Sequence, residues 1–258
     1  SYHGLILEGE QSLRINVPKD VSNLHKLFKK NSKELYIVGG AVRDALMGKK
    51  PKDFDLATDA LPEEVIKIVK KGGYETIGEV GQQFGVVIVK TPSFREGMEI
   101  ATFREDIGKG RRPDAVTYST IDLDVKRRDL TINALFYDID KKQIVDLIGG
   151  IADIQSNTIR TVGRAQERFD EDPLRKLRAL RFWTRLGGTL DKELLDALQT
   201  DPSLKGVSGE RIKDEFLKSI KSSKNTKEYM DMCDKIGFTS QILPNLKISN
   251  PYPKINDH

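Results

Sequence analysis

This chain of 258 residues holds one cysteine, three histidines and one tryptophan, and the first two scarcities each exclude a class of chemistry. Cys233 has no second cysteine to bridge to, so no internal disulfide is expected, which fits a reducing cytoplasm. His3, His25 and His258 lie far apart in the sequence, so neither a histidine metal site nor a Ser-His-Asp triad is expected. No apolar run approaches the ~20 residues of a membrane-crossing helix. The opening Ser1-Tyr2-His3-Gly4 lacks the basic stretch and apolar core of a secretory signal. The expectation is a cytoplasmic protein with no membrane partner. Whatever chemistry it performs must rest on carboxylates, arginines and backbone.

What is present is enough apolar sequence for a core, 38% of residues, and charge of both signs, 43 Lys and Arg against 39 Asp and Glu. The net +4 says little, but its placement says more. Arg164, Arg168, Arg175, Lys176, Arg178 and Arg181 crowd one segment, and Lys213, Lys218, Lys221, Lys224 and Lys227 another. Together they form a candidate track for a polyanion.

The first half alternates strand-like and helical segments. Leu35–Val38 reads as a buried strand ended by Gly39-Gly40, followed by a short helix from Ala41 to Met47 that stops at Gly48. Phe54–Ala57 reads as a second strand, and Pro62–Lys71 as a helix with proline in its first turn and Gly72-Gly73 at its end. Strand-like runs follow at 86–89, 99–103, 131–137 and 144–148, with a charged, glycine-rich loop at 108–113. After about residue 151 the pattern turns helical: Leu174, Leu177, Leu180 and Trp183 form one helix face, and further helices are predicted over 191–199, 210–220 and 226–236. Asn250–Pro253 reads as an extended tail. The architecture predicted is α+β followed by a mostly helical second domain.

Four Asp-x-Asp pairs occur: Asp53/Asp55, Asp122/Asp124, Asp138/Asp140 and Asp170/Asp172. Most such pairs are solvated turns. Only Asp53/Asp55 follows a strand, two glycines and a short helix. Residues two apart on a strand share a face, so both carboxylates can serve one site. Hard oxygen donors without histidine suit Mg²⁺, which keeps room for substrate phosphates. A pair of such ions ~3.5–4 Å apart can activate a hydroxyl and stabilise a leaving pyrophosphate. Gly39 and Gly40 let backbone N–H groups approach a triphosphate, and Arg43, one turn on, can add a charge-assisted contact.

These residues, read as Tyr36-Ile37-Val38-Gly39-Gly40-Ala41-Val42-Arg43-Asp44 with Gly48 and Pro51-Lys52-Asp53-Phe54-Asp55, resemble the signature of class II tRNA nucleotidyltransferases and bacterial poly(A) polymerases, members of the polymerase-β-like superfamily. The likeness continues in family order through Ile100–Arg104, Arg111-Arg112-Pro113-Asp114, Arg127–Ala134, Glu171–Arg175 and Arg178–Phe182. It implies a polymerase-β-like catalytic head, a mixed sheet with flanking helices over 1–153, and an all-helical neck over 154–258 that selects nucleotides and binds RNA. The implied activity is Mg²⁺-dependent, template-independent addition of C and A from CTP and ATP to RNA 3′ ends, most naturally the tRNA 3′-CCA. An A-adding enzyme is the closest alternative, and a catalytically silent RNA-binding module a more distant one. By the same resemblance Arg128 contacts the nucleotide and Asp129 the ribose or its neighbours. Glu99, on an adjacent strand, is a candidate third metal carboxylate. Family members usually continue into further helical domains, so the neck is expected to be truncated here.

The base-reading residues can be argued from hydrogen bonding. Asp172 and Arg175, three apart on a predicted helix, are neighbours on its surface. Asp accepts and Arg donates. C and A each present an amine donor beside a ring-nitrogen acceptor; G and U present the reverse. One Asp-Arg pair can therefore accept C and A and reject G and U. Arg178 and Arg181 continue the row at the same spacing, each step rotated about 60° around the helix, so Arg181 faces away toward phosphate, RNA or packing.

Overall fold

The computed structural model describes residues 15–77, 85–107 and 115–243; the 108–113 loop, Arg111–Asp114 and the Asn250–Pro253 tail lie outside them. Chain order begins with α1 (Lys19–Lys30), β1 (Leu35–Val38), α2 (Gly40–Leu46), β2 (Asp55–Thr58) and α3 (Pro62–Lys71). β3 (Glu75–Ile77), β4 (Val86–Lys90) and β5 (Met98–Thr102) follow, then a separate antiparallel ribbon of β6 (Arg104–Ile107) and β7 (Ala115–Tyr118). After α4 (Ile121–Lys126) come β8 (Phe136–Asp138), β9 (Gln143–Val145) and α5 (Gly150–Gln155). Seven strands form one mixed sheet in the order β3-β4-β5-β2-β1-β8-β9, with β2 and β5 parallel and the other neighbours antiparallel.

Alternation along the strands gives the sheet two apolar faces. Ile37, Leu56 and Ile100 pack against Val21, Leu24 and Phe28 of α1 and Val65, Ile68 and Val69 of α3. Val38, Ala57 and Phe136 point to the other side, where Phe103 and Val125 join them. Helix α1 was not read from the sequence, because its apolar positions sit among charged neighbours (KDVSNLHKLFKK). Their spacing is nevertheless helical.

Two strand-like runs are shorter than predicted. Residues 131–133 form a 3₁₀ turn, because the Thr131 N–H donates to the Arg160 carbonyl and its hydroxyl turns to Asp153. Leu130 and Ile132 are thereby drawn into the second core. The run at 144–148 ends as strand at Val145, because the Asp146 carboxylate takes the backbone N–H groups of Ile148, Gly149, Gly150 and Ile151.

The second half carries α6 (Ala165–Glu171), α7 (Leu174–Leu186), α8 (Lys192–Thr200), α9 (Gly209–Ser222), α10 (Thr226–Ile236) and α11 (Thr239–Ile242). It is not purely helical: Thr158–Ile159 and Thr189–Leu190 make a short parallel pair. Leu177, Leu180, Trp183, Leu194, Leu198, Tyr229 and Cys233 form its core, with the α7 row falling as the periodicity predicted. Among the described residues no helix is long and apolar enough to cross a membrane.

Candidate active site

A cleft of about 560 Å³ is lined by residues of both halves. From the first come Gly39, Gly40, Arg43, Asp55, Arg104, Arg127, Arg128, Asp129 and Asn133; from the second come Asp172, Leu174, Arg175, Arg178, Phe182, Arg211, Asp214, Glu215 and Lys218. Its eight basic residues outnumber its five acidic ones, a balance suited to a polyanionic ligand. Of the residues singled out from sequence, Asp53, Glu99 and Arg181 are not part of this lining.

The β1–α2 turn forms one wall. Gly39 has φ +68°, a conformation that favours glycine, and its N–H donates to the Leu135 carbonyl at 3.0 Å. That amide is committed to the fold, so Gly40 is the glycine of the pair left to face a ligand. Arg43 is buried: its guanidinium forks onto Asp44 at 2.7 and 2.9 Å, donates to Asn133, and lies 5.0 Å from the Phe182 ring centre. Asp44 also receives Arg185 at 3.4 Å, so the turn is tied to α7. Arg43 therefore presents a braced charge to the cleft rather than a mobile one.

Phe54 and Leu56 are buried while Asp53 and Asp55 are exposed; β2 itself begins at Asp55, and Asp53 lies ahead of the strand and outside the cleft lining. Parallel pairing of Leu56 with Ile100 sets Glu99 beside Asp55. Desolvation by the cleft walls raises the Asp55 carboxyl first, Glu99 and Asp53 raise it further, and Arg128 opposes them. The outcome is a pKa pushed up to about 6, even though the residue presents much of its surface to solvent. A cation would relieve this crowding of charge. Among the described residues, however, no three His, Cys, Asp or Glu side chains converge as a metal-holding group, so Glu99 does not complete a three-carboxylate site. The Asp53/Asp55 pair offers the hard oxygen donors that a divalent cation takes.

The opposite wall corrects the base-reading geometry. Asp172 is not on a helix. It sits extended between α6 and α7 (φ −149°, ψ 103°), because the following Pro173 disfavours helical backbone before it. Its carboxylate accepts the Leu174 N–H at 3.2 Å and Arg211 at 2.6 Å. Arg175 pairs instead with Glu171 at 2.5 Å and donates to the Arg127 carbonyl at 3.0 Å. Asp172 and Arg175 both line the cleft, but not as a pair. Arg178 grips Asp129 through Nε and Nη2 at 2.7 and 2.6 Å. Burial would raise the Asp129 carboxyl, but Arg178, the Leu130 N–H and Arg175 outweigh it and hold the pKa down at about 2. Arg181 leaves the row to bond Glu215 at 2.5 Å and stack 4.4 Å from the Phe182 ring centre, the packing role among those open to it.

The basic segment around 160–185 is thus no open track. Arg168 and Arg175 meet Glu171, Lys176 is buried on Asp201, Arg178 meets Asp129 and Arg181 meets Glu215; Arg164 alone of the six is largely exposed. The lysines at 213, 218, 221, 224 and 227 are exposed as expected. Sequence reasoning missed the contribution of α9: Arg211, Asp214, Glu215 and Lys218 recur at helical spacing on its cleft face, and that spacing was the available signal.

Residues 35–160 match the family model of the poly A polymerase head domain. The chain belongs to the tRNA nucleotidyltransferase and bacterial poly(A) polymerase family. It is 44% identical over 189 residues to a CCA-adding enzyme of Lactobacillus johnsonii, covering 72% of this chain and 46% of that one. It is 33% identical over 246 residues to poly(A) polymerase I of Haemophilus influenzae, covering 89% and 53%. The solved CCA-adding enzyme of Bacillus stearothermophilus, in complex with CTP, superposes with a TM-score of 0.75 at 33% identity, over 86% of this chain and 53% of the other. This chain spans about half the length of the relatives it matches.

Proposed function

We propose that this chain transfers CMP and AMP from CTP and ATP to the 3′ end of RNA without a template, completing or repairing tRNA 3′-CCA in the cytoplasm. The observation that carries the reading is the single cleft in which Gly40, Asp55 and a surplus of arginines from both halves face one another. Two hydrophobic clusters on the faces of the sheet and one among the later helices support a catalytic head over 1–153 and a nucleotide-selecting, RNA-binding neck over 154–258, with Leu130 and Ile132 reaching across that boundary.

Asp53 and Asp55 would hold Mg²⁺, which when bound supplies charge for the attacking hydroxyl and departing pyrophosphate. Gly40, Arg43 and Arg128 receive the triphosphate, and Asp129 braces Arg178 while facing the ribose. Asp172, with Arg211 on its carboxylate, and Arg175, paired with Glu171, would meet the base as separate groups of one wall and not as a hydrogen-bonding pair. The exposed lysines of α9 and the turn after it carry the RNA backbone.

A-only addition is the second reading, favoured by the longer match to the Haemophilus poly(A) polymerase. One experiment separates the two: Mg²⁺, each labelled triphosphate alone, and tRNAs ending -N, -NC and -NCC. Incorporation of CTP on the first two and ATP on the third supports CCA addition. ATP alone on all three supports the second reading, and no incorporation sinks both.

A further inference from the structure

The Asp122/Asp124 pair, which has the sequence of a solvated turn, is split by the fold: Asp122 accepts the Thr120 hydroxyl near the surface, while Asp124 is 1% exposed. A buried carboxylate is costly unless its partners are well placed. Asp124 has them. Oδ1 accepts Arg127 Nε at 2.8 Å and Nη2 at 2.7 Å, and the backbone N–H of Arg104 at 3.3 Å. Oδ2 accepts Arg128 Nε at 3.1 Å and Nη2 at 2.8 Å. Burial acts to raise this carboxyl, but the two guanidiniums outweigh it and hold it below the ordinary aspartate value.

The consequence falls on Arg128. One edge of its guanidinium is fixed by Asp124 and its centre lies 4.7 Å from the Phe136 ring centre, so the plane is set from two sides. The donors that Asp124 does not use are left for the cleft, which Arg128 lines. Meanwhile Arg175 of α7 holds the Arg127 carbonyl, so the same two-residue turn is gripped from the neck. One carboxylate between two guanidiniums also leaves a net positive charge facing the ligand.

We infer that Asp124, which does not itself line the cleft, is a positioning residue that aims Arg128 at the bound nucleotide. This rests on the reading of Arg128 as a nucleotide contact. Charge-assisted hydrogen bonds are the strong ones, so losing the aim should weaken CTP and ATP about tenfold each, with the KM for both raised and kcat little changed.

The test uses the full chain and equilibrium titration of CTP and ATP, with primer extension and melting curves alongside. Asp124→Asn removes the charge, Arg128→Ala removes the arm, and the double variant closes the cycle. The expected result is equal losses for CTP and ATP in Asp124→Asn, and a double variant no worse than Arg128→Ala. Lowered melting with unchanged nucleotide affinity, or losses that add fully in the double variant, overturns the inference. Unchanged affinity in Arg128→Ala overturns the reading of Arg128, and the inference with it. A loss in Arg128→Ala with none in Asp124→Asn overturns the inference alone. Should Asp124→Asn fail to fold, Asp124→Glu carries the test: it keeps the charge but displaces Arg128, and unchanged CTP affinity there is the overturning result.

Discussion

At the scale of single residues, Asp55 shows how environment assigns a role. Its carboxyl is lifted to about 6 by desolvation, Glu99 and Asp53, so the bare site holds more negative charge than it accommodates easily. Asp53→Ala or Asp55→Ala should abolish nucleotide addition while triphosphate binding partly survives. Wild-type turnover in either variant at saturating Mg²⁺ would remove both residues from the metal site. Asp172 is a different case, since its carboxylate is held by Arg211 rather than Arg175. Asp172→Ala should lower selectivity against UTP and GTP about tenfold, the order of one charge-assisted hydrogen bond to the base amine. Incorporation of all four triphosphates on one primer measures it, and full preference for C and A in the variant would leave Asp172 as an anchor for Arg211 only. The motif positions were legible from sequence: Gly40, Arg43, Asp55, Arg128, Asp129, Asp172, Arg175 and Arg178 all reach one cleft. Their partners were not, because Arg211 takes the Asp172 carboxylate from 39 residues away; the extended backbone of Asp172 itself was signalled by the adjacent Pro173.

Among the elements, α9 changes the picture most. Read alone it is an amphipathic helix with lysines on its exposed side; in the fold it closes the cleft with Arg211, Glu215 and Lys218 while Lys213 and Lys221 stay exposed. The arginines of α7, which the sequence placed in one candidate basic track with the lysines, form ion pairs with other elements. The exposed basic charge thereby lies on α9 rather than on α7. Lys213→Ala should weaken RNA binding and reduce the slope of log affinity against log salt by about 1, while CTP binding is untouched. An unchanged slope would place the RNA elsewhere. β1 and β2 were legible as short apolar runs because both faces of the sheet are covered there, one by α1 and α3 and the other by Phe103 and Val125. The 3₁₀ turn at 131–133 was not, since Leu130 and Ile132 join the core of the second half while Leu135 packs in that of the first, and no single period describes the run.

For the molecule as a whole, the joint between the two halves is ionic at its centre. Asp129 and Arg178 connect them with little solvent access to the carboxylate, 12%. The folded pKa of Asp129, about 2, lies below its ordinary 3.8. The resulting stability is present in full above about pH 4 and is lost as pH falls from about 4 to 2, amounting to about 2 kcal/mol. Acid titration of the melting temperature should show this loss in the wild type and a smaller one in Asp129→Asn. Equal acid sensitivity in the two proteins would mean the pair contributes nothing to cohesion.

The Phe182 ring meets two guanidiniums, those of Arg43 and Arg181, and its neighbour along α7 is Trp183, the chain's single tryptophan, 7% exposed. The protein consequently carries its own optical gauge. Indole emission comes from one place, in the core directly behind the cleft wall, with no second fluorophore of its kind to dilute the signal. Filling the cleft with CTP should shift or quench that emission saturably, and the change should disappear in Phe182→Leu if the ring is the mechanical link. A flat emission trace, alongside binding seen by calorimetry, would show that α7 does not register what occupies the space in front of it.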